Sequence, residues 1–282
     1  VTTTAPEVSS TYAIDELRFE EDGGSVIVTM SESYDMTISP EGGAVITLVT
    51  TNAGLEMVVS GDVDAMNYAL SADSMSIGLK DIVDGGMTFT GDAQIVLNDI
   101  AGSYTTTKAD LLTIGYDMQI ASMDMLVDIQ VPGGNGEYVT GGGKITGMNL
   151  DATVAIPLDA DFENPEMLFE NGFAVEGGYT VEGANYVFDV NVEGDQLAGS
   201  ITMGAADFAL VASTDSVAYD VSANDVATSI TTSELPFPID LSFTEYGLGF
   251  EMPMGKSDKP ENFRLSVDLV DMAVNDMIWS MI

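Results

Sequence analysis

The sequence predicts an all-β protein, a long antiparallel meander forming a curved sheet or a sandwich with at most one or two short helices. Three observations predict it. Apolar residues recur with period two in short runs rich in β-branched residues. Glycine-centred turn signals recur roughly every eight to twelve residues. Helix start and stop signals are almost absent.

The elements follow in chain order. "SVIVTM" (Ser25–Met30), "AVITLVT" (Ala44–Thr50) and "LEMVVSG" (Leu55–Gly61) read as strands bounded by Gly, Asn or Pro. Asp22-Gly23-Gly24, Glu41-Gly42-Gly43 and Asp84-Gly85-Gly86 supply the left-handed positions that tight hairpins need. "NPEMLFENG" (Asn164–Gly172) is the clearest helix, with Asn164 as cap, Pro165 in the first turn and Gly172 as stop. In "NYVFDVNVEG", Tyr186, Phe188, Val190 and Val192 alternate with Val187, Asp189, Asn191 and Glu193. That is a strand with one buried and one wet face, as antiparallel sheets allow. Ala198–Ala205, Asp207–Thr214 and Ser216–Ala223 repeat the pattern. Gly255 to Pro260 read as a polar hairpin turn leading into a strand over Phe263–Leu269, and the closing "LVDMAVNDMIWSMI" has spacing that fits a helix or a strand. The reading is one elongated β domain over residues 1–282, with a soft boundary expected near the Gly-rich stretch 132–143. The apolar, uncapped ending at Met277, Ile278, Trp279, Met281 and Ile282 suggests a piece of a longer precursor.

Composition narrows the function. The net charge of −39, from 46 acidic and 7 basic residues, repels nucleic acid and anionic lipid headgroups. The acids are dispersed rather than gathered in a tail, as suits solubility in a salty, marine medium. With no cysteine there is no disulfide, zinc–thiolate site or thiol nucleophile, and with no histidine there is no Ser-His-Asp triad. No apolar run is long enough for a transmembrane helix, and no signal peptide precedes the chain as given. A transmembrane barrel would need aromatic girdles that are not visible here. No cofactor and no enzyme activity is expected.

Candidate sites are few. Asp62/Asp64 and Asp159/Asp161, the latter with Glu163, offer oxygens that calcium uses, though neither has the spacing of a known calcium loop. Met123/Met125 and Met252/Met254 put thioether pairs on one strand face, a pattern that suits Cu(I), core packing or a face adaptable to flexible apolar guests. Lys256 beside Ser257 lies in a solvated turn, where a lysine keeps its proton and makes a poor base. Lys256, Lys259 and Arg264 form a docking-turn candidate, set among Glu251, Asp258, Glu261 and Asp268 that would neutralise it locally.

"PFPID" (Pro236–Asp240), "SFTEYGLGFEMPM" (Ser242–Met254), "KPENFRLSVDLVDMAVND" (Lys259–Asp276) and "IWSMI" (Ile278–Ile282) resemble an alphaproteobacterial family of secreted, periplasmic β-proteins of unknown function, common in marine relatives of Rhodobacter. "ESYDMTIS" (Glu32–Ser39), "GLEMVVSGD" (Gly54–Asp62) and "AGSYTTT" (Ala101–Thr107) also fit it. The resemblance implies a periplasmic or extracellular location, a signal peptide before this region, and a chain continuing past Ile282. The family's meander is in turn similar to AsmA-like periplasmic proteins, whose curved sheets form grooves for acyl chains. Two expectations follow: a non-catalytic envelope protein holding a lipid or other apolar ligand on a Met-rich concave face, or an assembly subunit that meets a protein partner through its sheet edges.

Overall fold

The structure is a computed structural model that describes residues 2–5, 8–85, 87–89, 91–130, 136–163, 165–253, 263–275 and 277. Among the described residues, twenty strand segments, every neighbouring pair antiparallel, form one sheet. Six long strands carry it: β8 (Ala65–Asp84), β10 (Gly91–Lys108), β11 (Leu111–Gln130), β12 (Tyr138–Pro157), β17 (Ser216–Thr232) and β18 (Ile239–Pro253). The others are broken in two. β4 (Ser25–Met30) and β7 (Glu56–Gly61) lie in what we call the upper half, with β13 (Ala174–Val181), β16 (Ala206–Ala212) and β19 (Arg264–Val270). β5 (Ser33–Pro40), β6 (Val45–Ala53), β14 (Gly183–Val192) and β15 (Asp195–Met203) lie in the lower half. At the first margin, β3 (Leu17–Asp22) pairs β4 in the upper half, while β2 (Val8–Ala13), carrying β1 (Thr2–Ala5), pairs β5 in the lower. At the other margin, β20 (Ala273–Val274) continues below β19; inside the sheet, β9 (Met87–Phe89) pairs with the lower end of β8.

The hairpin turns use the expected residues. Gly23 and Gly24 have φ of 56° and 93°, and Glu193 and Gly194 have φ of 54° and 92°, so both loops take the twist of primed turns. The helix, α1 (Pro165–Glu170), ends in a Schellman motif: Phe173 N–H reaches Leu168 O at 2.9 Å, and Gly172 N–H reaches Phe169 O at 3.0 Å with φ of 98°. Asn164, its expected cap, lies outside the described residues.

A seam crosses the sheet. In β8 the apolar positions are Met66, Tyr68, Leu70 and Ala72, then Met75, Ile77 and Leu79. In β11 they are Ile114, Tyr116, Met118 and Ile120, then Met123, Met125, Val127 and Ile129. The alternation restarts one residue out of phase at the same ladder position, where Asp99 and Ala121 drop out between the pairs Asn98↔Ser122 and Ile100↔Ile120. Left-handed residues mark the line at Gly54, Asp99, Gly147, Asp225 and Asp271, with φ of 50–63°. Side chains flanking it, among them Asn52, Ala72, Ile100, Ser122, Met148, Val181 and Ala223, are the most buried in the sheet. Asn52 ties the break in the β4–β5 strand by donating its amide to Ser31 O at 2.8 Å.

The sheet is not folded on itself into a closed sandwich. The chain exposes 17295 Å², where a compact monomer of its mass exposes about 11,600 Å². No described side chain is below 2% exposed, so the layer has no sealed interior. Of the two expected architectures, the single open sheet is the one observed. Of the stretch 132–143, where a soft boundary is expected, Tyr138–Gly143 lie inside β12, paired to β11, and residues 132–135 lie outside the described residues. No helix among the described residues is long and apolar enough to cross a membrane.

Candidate functional site

The ladder register turns short alternating strands into long apolar rows. In the upper half, Phe19, Val28, Met57, Leu70, Gly102 and Met118 stand opposite one another in succession. Leu150, Tyr179, Phe208, Val221, Leu248 and Val267 continue the same row to the far margin. Twelve strands at about 4.8 Å make a row of roughly 53 Å. The next row runs through Val26, Val59, Tyr68, Tyr104 and Tyr116 to Leu210, Tyr219, Phe250 and Leu265, with Glu21 at its margin. Rings meet across strands: Tyr68 and Tyr104 have centroids 5.5 Å apart, and Tyr219 stacks on Phe250 at 5.5 Å. Among the described residues no second layer covers these rows, and Tyr104, Tyr179 and Phe208 remain 37–39% exposed.

The intervening positions are polar. Ser103, Asp117, Asp151 and Asp220 fall in one row of the reverse face, with Asp117 directly opposite Asp151. The upper half thus separates its chemistry, acids and hydroxyls at one parity and aliphatics, aromatics and methionines at the other. Met57, Met66, Met118 and Met252 all stand at apolar positions of this half. Tyr116 donates its hydroxyl to Met118 Sδ at 3.5 Å, so one hydroxyl of this row is turned to a soft partner.

In the lower half the apolar surface is levelled by rings lying across glycines. A Cβ on Gly143 would strike Asn185 O and the Tyr186 ring, one on Gly141 would sit 2.8 Å from Tyr186 Oη, and one on Gly199 would sit 2.8 Å from Phe188 Cζ. Tyr186 and Phe188 stack at 6.4 Å. The glycines leave room for the rings to lie flat, the device known as aromatic rescue. Ile77, Ile95 and Ile201 stay 44–47% exposed beside them.

The lower reverse face holds the polar networks. Lys80 bonds Asp35 at 2.6 Å, and this hydrogen bond, with the attraction of the same carboxylate, raises the lysine pKa. Lys144 bonds Asp124 at 3.3 Å, and Asn98 donates to the same carboxylate at 2.9 Å. Tyr138 donates to Asp189 at 3.1 Å; partial desolvation first, and this bond second, raise its pKa. A shallow cavity of about 350 Å³ lies beside Ser200, Ser229, Asp240 and Asn275. Its one carboxylate already accepts from Ser229 at 2.6 Å and Asn275 at 3.3 Å, so it gathers no unsatisfied group.

The sequence candidates fall elsewhere. Asp161 accepts Glu163 N–H at 3.1 Å, and Asp62 accepts Asp64 N–H at 2.9 Å and Ala65 N–H at 3.1 Å. Both clusters are turns in which aspartate holds its own backbone. Among the described residues, no three acids, Asp159, Asp161 and Glu163 included, converge as a metal site. Lys256, Ser257, Lys259 and Met254 lie outside the described residues. Arg264 donates to Glu251 across the β18–β19 ladder at 2.8 Å. The rows themselves were not found from sequence, because a row joins residues on twelve strands and only the register shows which. Comparison with family models, with curated proteins and with solved structures finds no match for this chain.

Proposed function

We propose that the chain binds a flexible apolar ligand, the acyl chain of a lipid, on the apolar face of its upper half-sheet. The observation that carries this reading is the row from Phe19 to Val267, which holds Met57 and Met118, is half-buried along most of its length and is exposed at Phe19, Tyr179, Phe208 and Val267. Methionine adapts to a guest without fixed shape, and a row of roughly 53 Å is long enough for any common acyl chain to lie along it. The resemblance to periplasmic β-proteins supports the same reading and suggests a secreted or periplasmic lipid chaperone in a marine bacterium. The acids on the reverse face favour a zwitterionic or neutral headgroup over an anionic one.

Calorimetric titration with lysophosphatidylcholines of eight, ten and twelve carbons tests this below their critical micelle concentrations. An open face buries about half of each methylene, or roughly 0.4 kcal/mol. Affinity then rises about fourfold for every two carbons. Leu150→Asp, in mid-row, lowers affinity while leaving the lower half's polar network intact. A chain-length series without slope, or unchanged affinity in Leu150→Asp, sinks the proposal. Native mass spectrometry of the freshly purified protein gives the second reading, in which a bound lipid mass is expected.

A further inference from the structure

The two upper margins of the sheet are complementary to each other. Among the described residues β3 pairs only with β4, and β19 only with β18, so within them each presents one unpaired row of backbone N–H and C=O groups. Both strands are almost wholly exposed, with Phe19 at 65% and Val267 at 59%. Natural sheets usually blunt such edges; these carry matched residues instead. We propose that β19 of one copy adds antiparallel to β3 of a second copy, with Phe19 opposite Val267, so that the sheet continues from chain to chain.

The register follows from the row. Phe19 and Val267 are the two ends of one apolar row, and the sheet's alternating strand directions make β3 the next antiparallel strand after β19. Placing them opposite each other sets Leu17 against Leu269, Arg18 against Asp268, and Asp22 against Arg264. Two opposite-charge pairs and two apolar pairs form and no like-charged pair, with Glu20 meeting Ser266 and one mismatch, Glu21 against Leu265. A shift of two residues either way keeps the faces but sets Glu16 against Asp268 or Glu20 against Asp268. A shift of one turns the apolar faces out of line, setting Phe19 against Ser266 or Asp268 and Arg18 against Val267 or Leu269. Arg264 has five donors and can keep its bond to Glu251 while meeting Asp22. β1 covers β2 only from Val8 to Thr11, in the lower half, so it does not block β3. The contact is heterologous, so it builds rings or open rows rather than stopping at a dimer.

The chain has no cysteine, which makes the test direct. Phe19→Cys protein is mixed with Val267→Cys protein under mild oxidation. The expected result is a mixed disulfide formed at least tenfold faster than between Val63→Cys, on an exposed turn, and Val267→Cys. In the cysteine-free chain, light scattering over a concentration series is expected to show growing assemblies. Arg18→Asp weakens them about tenfold, and adding Asp268→Arg restores them. A monomer at every concentration, or a mixed disulfide no faster than the control, overturns the proposal. Either result leaves the edge charges as guards against pairing or assigns the edge to another protein. A double Phe19→Cys/Val267→Cys chain that closes within itself as a monomer also overturns it.

Discussion

Gly142 and Gly143 are consecutive in β12 but face opposite ways, and alanine at each should have very different consequences. At Gly143 a new methyl meets Asn185 O and two atoms of Tyr186, Cδ2 at 2.8 Å and Cα at 2.9 Å. The β14 backbone has to move away from β12, and the Tyr186 ring with it, disturbing the ladder and the stack on Phe188. Overpacking of this kind costs about 1–3 kcal/mol, and the lost aromatic pair adds about 0.5–1.5 kcal/mol. At Gly142 the nearest atoms are Met125 O at 3.1 Å and Leu126 Cδ1 at 4.0 Å, contacts that a small shift relieves. Both variants gain the same unfolded-state stabilisation of about 0.4–1 kcal/mol from replacing glycine, so it cancels in the comparison. The expected result is that Gly143→Ala is about 2–3 kcal/mol less stable than Gly142→Ala, a gap of roughly 5–10 °C in Tm. Thermal denaturation followed by far-ultraviolet circular dichroism measures it. Equal stabilities would refute the idea that Tyr186 lies across the glycine.

Further outcomes follow from the same geometry. Asp99→Gly leaves stability unchanged or raised, because Asp99 sits at φ of 50°, whereas Asp99→Val costs about 1–2 kcal/mol since a β-branched residue is strained there; urea unfolding of the pair reads the difference. Asp117→Asn removes a like-charge pair with Asp151 and stabilises by about 0.2–1 kcal/mol at low salt; in 1 M salt, where the screening length is about 3 Å, the gain should vanish. Tyr138 has its pKa raised above the ordinary value of 10.0 by partial desolvation and the bond to Asp189. Its stabilising contribution is complete below that value and is lost as pH rises through the folded pKa. Tyr138→Phe therefore flattens the alkaline limb of the stability curve above about pH 10 and leaves the neutral region with a constant offset.

Strand content, turns and the helix α1 were legible from local chemistry. Gly23-Gly24 and Glu193-Gly194 adopt the left-handed turns their residue types predict, and the helix stops at Gly172 for the reason given from sequence. The choice between sandwich and open sheet was not legible. Tyr186 and Phe188 alternate with polar residues in the same way whether a second layer covers them or they lie flat over Gly141, Gly143 and Gly199. The docking turn was read from charge density alone, and only Arg264 of its three cations falls within the described residues, already held by Glu251. The matching residues at the margins were invisible for another reason. Arg18 and Asp268 are separated by nearly the whole sequence and become neighbours only when the sheet is extended beyond one chain.

The seam explains how a strand of twenty residues can be amphipathic at both ends without being regular throughout. With period two kept over the whole of β8, Ala72 and Ser74 would have to belong to one apolar set, and Met75 and Ile77 to the polar one. The sequence instead changes phase there, and the residues that accompany the change are those whose backbone tolerates a left-handed turn: Gly54, Asp99, Gly147, Asp225 and Asp271. Burial concentrates at this line rather than between layers, so the seam takes the place of a core, and Ile100, at 4% exposed, marks its most protected point. The two apolar half-faces on either side are therefore left for something other than the chain's own packing. Dispersed acids on the reverse face set mutual repulsion between copies against the pull of so much exposed apolar surface. The same separation of charge from apolar surface is what the proposed ligand face requires.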